Sequence, residues 1–84
     1  MKNKYDPLFD HLKSYNPNER EVTLSFEQIE KIISAKLPYS AHTYQAWWAN
    51  DTDGRHVNAK AWMDAGWRVY TVNLSHQWVT FRRV

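Results

Sequence analysis

Three of the five tryptophans stand between residues 37 and 66, in LPYSAHTYQAWWANDTDGRHVNAKAWMDAG, and the 84-residue chain around them has no cysteine. A chain this short builds a small core and needs a further device to hold it together. Disulfides are ruled out by composition. What remains is ring area, because each large aromatic side chain can bury roughly 150–250 Å². With five Trp and five Tyr, the middle segment sets what the flanks must pack against. The length fits one domain over residues 1–84.

The flanks follow from local signals. Asp6-Pro7 starts a helix, with Asp as N-cap and Pro at the first helical position, where a missing N–H costs nothing. Tyr5, Leu8, Phe9, Leu12 and Tyr15 recur at helical spacing, and Asn16-Pro17-Asn18 ends the run. Glu21-Val22-Thr23-Leu24 is a short extended stretch. Ser25-Phe26-Glu27-Gln28 then has the form of a capping box, with Leu24 and Ile29 as the hydrophobic staple. Phe26, Ile29, Ile32 and Ile33 mark the buried stripe of a second helix ending near Ala35. Pro38 disfavours helix at Leu37, so Leu37-Pro38-Tyr39 turns the chain.

Ser40 is placed to cap a third helix over residues 41–49, with Asn50 as its stop. Asp51-Thr52-Asp53-Gly54 is a polar loop. It has the start of a calcium loop but not the later ligands or the closing Glu. A fourth helix runs from His56 or Asn58 to Ala65, stopped by Gly66. From Trp67 the period changes to two. Trp67, Val69, Val72 and Leu74 make a strand with an irregular alternation, of the kind a bulge gives. Ser75-His76-Gln77 turns, and a return strand from Trp78 to Arg83 puts Val79 and Phe81 on one face and Thr80 and Arg82 on the other. The expected architecture is α+β, three to four short helices closed by a C-terminal antiparallel hairpin.

Several of these pieces form a signature: Tyr5-Asp6-Pro7-Leu8, Ser25-Phe26-Glu27-Gln28-Ile29-Glu30, Leu37-Pro38-Tyr39-Ser40-Ala41, Trp47-Trp48-Ala49-Asn50, Ala61-Trp62-Met63-Asp64-Ala65-Gly66-Trp67 and Val79-Thr80-Phe81-Arg82-Arg83. Over nearly the whole chain it resembles a family of small bacterial and phage domains. The resemblance brings no assigned activity. The order of elements also resembles a winged helix-turn-helix, with the second and third helices as the turn motif and the hairpin as the wing.

Chemistry is sparse. His11, His42, His56 and His76 fall in four different elements, with no pair at i, i+4, so no metal site is expected. Ser25 and Ser40 are accounted for as caps, and two glycines cannot build a phosphate loop. The expectation is a non-enzymatic protein without a cofactor. The start lacks the apolar run of a signal peptide, and no stretch reaches the roughly 20 apolar residues of a membrane span, which points to a cytoplasmic protein.

Charge gives the positive lead. Residues 1–30 carry four basic and six acidic side chains, whereas residues 31–84 carry seven basic and three acidic. A basic C-terminal part suits an anionic partner, nucleic acid above all and double-stranded DNA in the winged-helix comparison. There the third helix reads a groove through His42, Thr43, Gln45 and Asn50. Asn58 and Lys60 make the fourth helix an equal candidate. Lys36, Arg55, Lys60, Arg68, Arg82 and Arg83 are the candidate phosphate contacts. Trp47, Trp62 and Trp67 are assigned to the core. Trp48 and Trp78 are the candidates for stacking on a base or anchoring an interface. The rival class is a protein-interaction module, a phage or mobile-element factor or a homodimer, docking through exposed aromatics.

Overall fold

The capping box forms as its residue types dictate. In a computed structural model that describes residues 3–51 and 56–84, the Gln28 N–H donates to Ser25 Oγ at 3.0 Å and the Ser25 N–H donates to Gln28 Oε1 at 2.7 Å. These two bonds satisfy donors that the first turn of helix α2 (Phe26–Ile33) would otherwise leave open. Leu24 and Ile29, the staple pair, are both buried. The helix ends at Ile33, two residues earlier than the pattern suggests, with Ser34 as its C-cap in the left-handed conformation at φ 55°.

Helix α1 (Asp6–Lys13) starts as expected but is capped by Tyr5 instead of Asp6. The Asp6 carboxylate accepts from the Asn3 N–H at 3.0 Å. Helix α4 (Val57–Asp64) precedes Gly66, whose φ of +92° is the left-handed geometry that a side chain resists and glycine accepts.

The third helix differs from expectation. Helix α3 (Tyr39–Thr43) is five residues long and is followed, across an extended Tyr44, by a 3-10 turn over Gln45–Trp48. Its cap is Pro38, and Ser40 caps nothing. In a continuous helix the Ala41 carbonyl would accept from the Gln45 N–H. Here it accepts from the Trp48 indole N–H at 2.9 Å. Breaking the helix lets Trp48 turn into the core.

Strand β1 (Glu21–Ser25) joins the C-terminal hairpin of β2 (Trp67–Asn73) and β3 (Trp78–Arg83), so the hairpin is part of a three-stranded antiparallel sheet. The order is β1-β3-β2, with Val22 opposite Phe81 and Leu24 opposite Val79. The irregularity anticipated in β2 is a register shift between Val69 and Thr71. The helices cover one face of the sheet, and the core between them contains Leu8, Leu12, Ile29, Trp48, Trp62, Trp67 and Phe81.

A column of rings crosses that core. Phe26 stacks on Trp48 with centroids 5.0 Å apart, Trp48 stacks on Trp62 at 5.9 Å, and Trp62 leans on Phe81 at 5.6 Å. Trp67 anchors the other side, donating from its indole to the Leu12 carbonyl at 2.9 Å. Trp62 and Trp67 are thus core residues, as assigned. Trp47 is only half-buried.

Two tests follow. Ser25→Ala removes the cap bond and should lower stability by about 1 kcal/mol in urea denaturation. Burial also raises the Tyr5 phenol pKa above its usual value. The folded state therefore holds this proton longer than the unfolded state, and the associated stability is intact below about pH 10 and lost as pH rises beyond it. Urea midpoints measured across that range should fall less steeply for Tyr5→Phe.

Candidate nucleic-acid interface

Alternation along a strand gives the sheet two unlike faces. Val22, Leu24, Trp67, Val79 and Phe81 point into the core. Their neighbours point away from the helices in three cross-strand rows. The first row is Glu21, Arg82 and Arg68; the second Thr23, Thr80 and Thr71; the third Ser25, Trp78 and Asn73. The bulge adds Tyr70 to this outer face, where it is 57% exposed.

The first row concentrates charge. Arg68 and Arg82 are direct cross-strand partners, a placement in which like charges repel. The Arg82 guanidinium lies over the Tyr70 ring, 3.3 Å from its centroid, which fixes its plane. One carboxylate approaches it, Glu21 at 3.9 Å, with both side chains about half exposed. Among the described residues Arg68 has no ion pair. Arg68, Arg82, Tyr70, Val69 and Asn50 surround a surface pocket of about 270 Å³.

The second row is quiet, with Thr23 and Thr80 sharing a 2.8 Å hydroxyl hydrogen bond. Thr80 is 5% exposed although it points away from the helices, so side chains of its own face cover it. In the third row Trp78 is half-buried, lies outside the core cluster and touches no other aromatic ring among the described residues.

Arg83 lines the same pocket as Arg68 and Arg82, but its guanidinium is engaged by the fold. Its guanidinium lies over Trp67 at 4.2 Å and donates to the carbonyls of Asn16 and Glu19, both at 3.0 Å. It ties the loop after α1 to the sheet, so its charge serves the fold.

Other residues expected to form the interface are placed apart from these arginines. Lys60 belongs to the helical layer, paired with Asp64 at 2.9 Å and beside Asn3, Asp6 and Phe9. Lys36 follows α2, exposed and 3.8 Å from Glu30. The four basic positions Lys36, Lys60, Arg68 and Arg82 therefore do not make one surface. Arg55 and the loop over residues 52–54, with its calcium-like start, lie outside the described residues. Thr43 and Gln45 are exposed, and His42 is half-buried with its ring edge-on to Phe26 at 5.3 Å. The groove-reading helix expected over residues 41–49 does not exist as one element.

Two assignments are changed by burial, those of Trp48 and Asn58, and Asn50, half-buried, is engaged by hydrogen bonds. Trp48 is 2% exposed, held in the ring column, and cannot stack on a ligand. Its neighbour Trp47 has the rim position, because adjacent residues of a 3-10 turn point about 120° apart. Asn58 is 8% exposed and donates to the Trp47 carbonyl at 2.7 Å. Asn50 is a structural hub. Its Oδ1 accepts from the Trp62 indole at 3.0 Å and from the Val69 N–H at 2.9 Å, and its Nδ2 donates to the Val69 carbonyl at 3.0 Å.

A pocket of about 480 Å³ is lined by Trp47, Tyr44, Ala46, Ser40, Asp51 and His56 among others. Asp51 and His56 approach at 3.1 Å on its wall. Neither this pocket nor Tyr70 was marked by the sequence. Tyr70 is legible afterwards as the residue at the break in the β2 alternation.

These features define a small α+β domain with one sheet face buried under helices and the other open and arginine-bearing. The chain belongs to a family described as a domain of unknown function (DUF7662), which matches residues 5–84. Searches of curated proteins and of solved structures found no match. Among the described residues no helix is long and apolar enough to cross a membrane, and no group of three or more His, Cys, Asp or Glu could hold a metal ion.

Asn50→Ala removes all three hub bonds and leaves the Trp62 indole N–H buried without a partner. The expected cost is about 2–3 kcal/mol in urea denaturation, with Gln45→Ala, at an exposed site nearby, costing less than about 0.5 kcal/mol.

Proposed function

We propose that this domain is a non-catalytic nucleic-acid-binding module that meets its ligand with the outer face of the sheet. One observation carries the proposal: Arg68 sits directly across from Arg82, around an open pocket, with a single carboxylate 3.9 Å from one of them. Two facing guanidinium groups repel each other unless an anion lies between them. Arginine is suited to phosphate, since its planar fork donates two parallel hydrogen bonds. Stacking on Tyr70 holds the Arg82 plane ready, which lowers the entropy lost on binding.

The winged-helix comparison keeps some support. The hairpin closes the chain as a wing does, and α4 precedes it as a reading helix would. The charges favour a different contact. Helix α3 has five residues and no Lys or Arg, and Lys60 of α4 is paired with Asp64. Among the described candidate contacts, Arg68 on the sheet has no ion pair.

A second class, docking on a protein, is favoured by one specific feature, the pocket where half-buried Trp47 and exposed Tyr44 line an opening of about 480 Å³. Loss of nucleic-acid binding at every salt concentration would leave this class standing.

Fluorescence anisotropy of labelled DNA and RNA against the protein, from low to physiological salt, tests the proposal. Affinity should fall linearly with the logarithm of salt concentration. Arg68→Ala and Arg82→Ala should each weaken binding and lower that slope by about one. Lys36→Ala and Lys60→Ala should leave the slope unchanged. Equal effects of all four substitutions would place the contact surface elsewhere.

A further inference from the structure

We infer that the nucleic acid recognised by this face is single-stranded, with its bases stacked on Tyr70 and Trp78; the inference rests on the nucleic-acid proposal above. The first support is the shape of the surface. The major groove of a duplex admits a helix or a two-stranded ribbon. This face belongs to a three-stranded sheet, about 10 Å from edge strand to edge strand before side chains are added. It can lie against a duplex backbone but cannot reach the bases.

The second support is what the face carries besides charge. A duplex phosphate contact has no use for exposed rings, yet two rings share the face with the arginines. Tyr70 is 57% exposed, with Arg82 on one side of its ring. Trp78 is outside the core and has no aromatic neighbour among the described residues. The three buried indoles, Trp48, Trp62 and Trp67, each donate to a protein oxygen. Trp78, half-buried, makes no such bond among the described residues, and the same holds for half-buried Trp47, so the Trp78 N–H is left for a ligand on the part of the ring that faces solvent.

The third support is spacing. Arg82 and Trp78 are four residues apart on one strand, about 13 Å. Between them lie buried Thr80 and exposed Thr23, whose hydroxyls are bonded to each other, so the floor there is uncharged and is open to a ligand at Thr23. An unstacked strand crossing this floor would place phosphate at the Arg68–Arg82 end while a base meets Tyr70 and another meets Trp78. The guanidinium plane of Arg82 also offers a stacking surface. Every base has a π-face, so this mode is tolerant of sequence.

The test compares oligothymidine, oligouridine and a duplex, each of about 10 nucleotides or base pairs, by anisotropy in low salt. The expected result is single-strand binding at least about tenfold tighter than duplex. Tyr70→Ala and Trp78→Ala should each weaken the single-strand affinity about 5- to 100-fold; Trp78→Ala should leave the weak duplex affinity unchanged, whereas Tyr70→Ala, which also releases Arg82, should lower it by a smaller factor. Tyr70→Phe and Trp78→Phe keep a ring and should retain most of the binding, which separates stacking from misfolding. Unchanged circular dichroism spectra would confirm folded variants. Tighter binding of oligouridine than oligothymidine would assign the strand to RNA and support the inference; equal binding supports a face that reads bases and phosphates alone. Duplex binding as tight as single-strand binding, or no effect of the alanine substitutions while Arg68→Ala still weakens binding, overturns the inference and leaves the nucleic-acid proposal intact. No binding of the wild-type protein to any of the three overturns both.

Discussion

The ring column from Phe26 through Trp48 and Trp62 to Phe81 joins a helix, the 3-10 turn, a second helix and the central strand. Each ring comes from a different element, so the position of one fixes the others. In a chain of 84 residues this replaces the larger aliphatic core that length does not allow. It also decides the path of the backbone. Trp48 reaches its slot only if the helix before it stops, and the Ala41 carbonyl freed by the stop is taken up by the Trp48 indole. The break in the third helix and the stack are one arrangement.

Features set by neighbours in sequence were legible. The capping box of Ser25 and Gln28, the left-handed Gly66 and the broken alternation of β2 are all written within a few residues. Features set by distant partners were not. Glu21-Val22-Thr23-Leu24 looks like an extended lead-in until Val22 finds Phe81 far along the chain. Periodicity favours a helix through residues 41–49 because Ala41, Tyr44, Trp47 and Trp48 recur at helical spacings. What overrides it is a slot built by Phe26 and Trp62, which no local pattern can show.

The candidate interface divides in the same way. Arg68, Arg82 and Trp78 were chosen for their chemistry, and the sheet brings them to one face. Lys36 and Lys60 have the same chemistry but stand elsewhere, near Glu30 and Asp64. Asn50 and Asn58 have the side chains of base readers and the surroundings of core residues. Composition identifies which groups can bind an anion; only the register of the strands says which of them can bind it together. Tyr70 completes the site because the bulge turns it outward beside Arg82.

The Asn50 amide also acts at the edge of the sheet. Donating to and accepting from the backbone of Val69, it forms the pair of bonds that a neighbouring strand would otherwise make there. An open strand edge is a template for pairing with other chains. At Val69 that template is already occupied by a side chain, anchored in turn by the Trp62 indole. The ring column therefore extends its influence beyond the core, to which strangers the sheet will accept at its β2 margin.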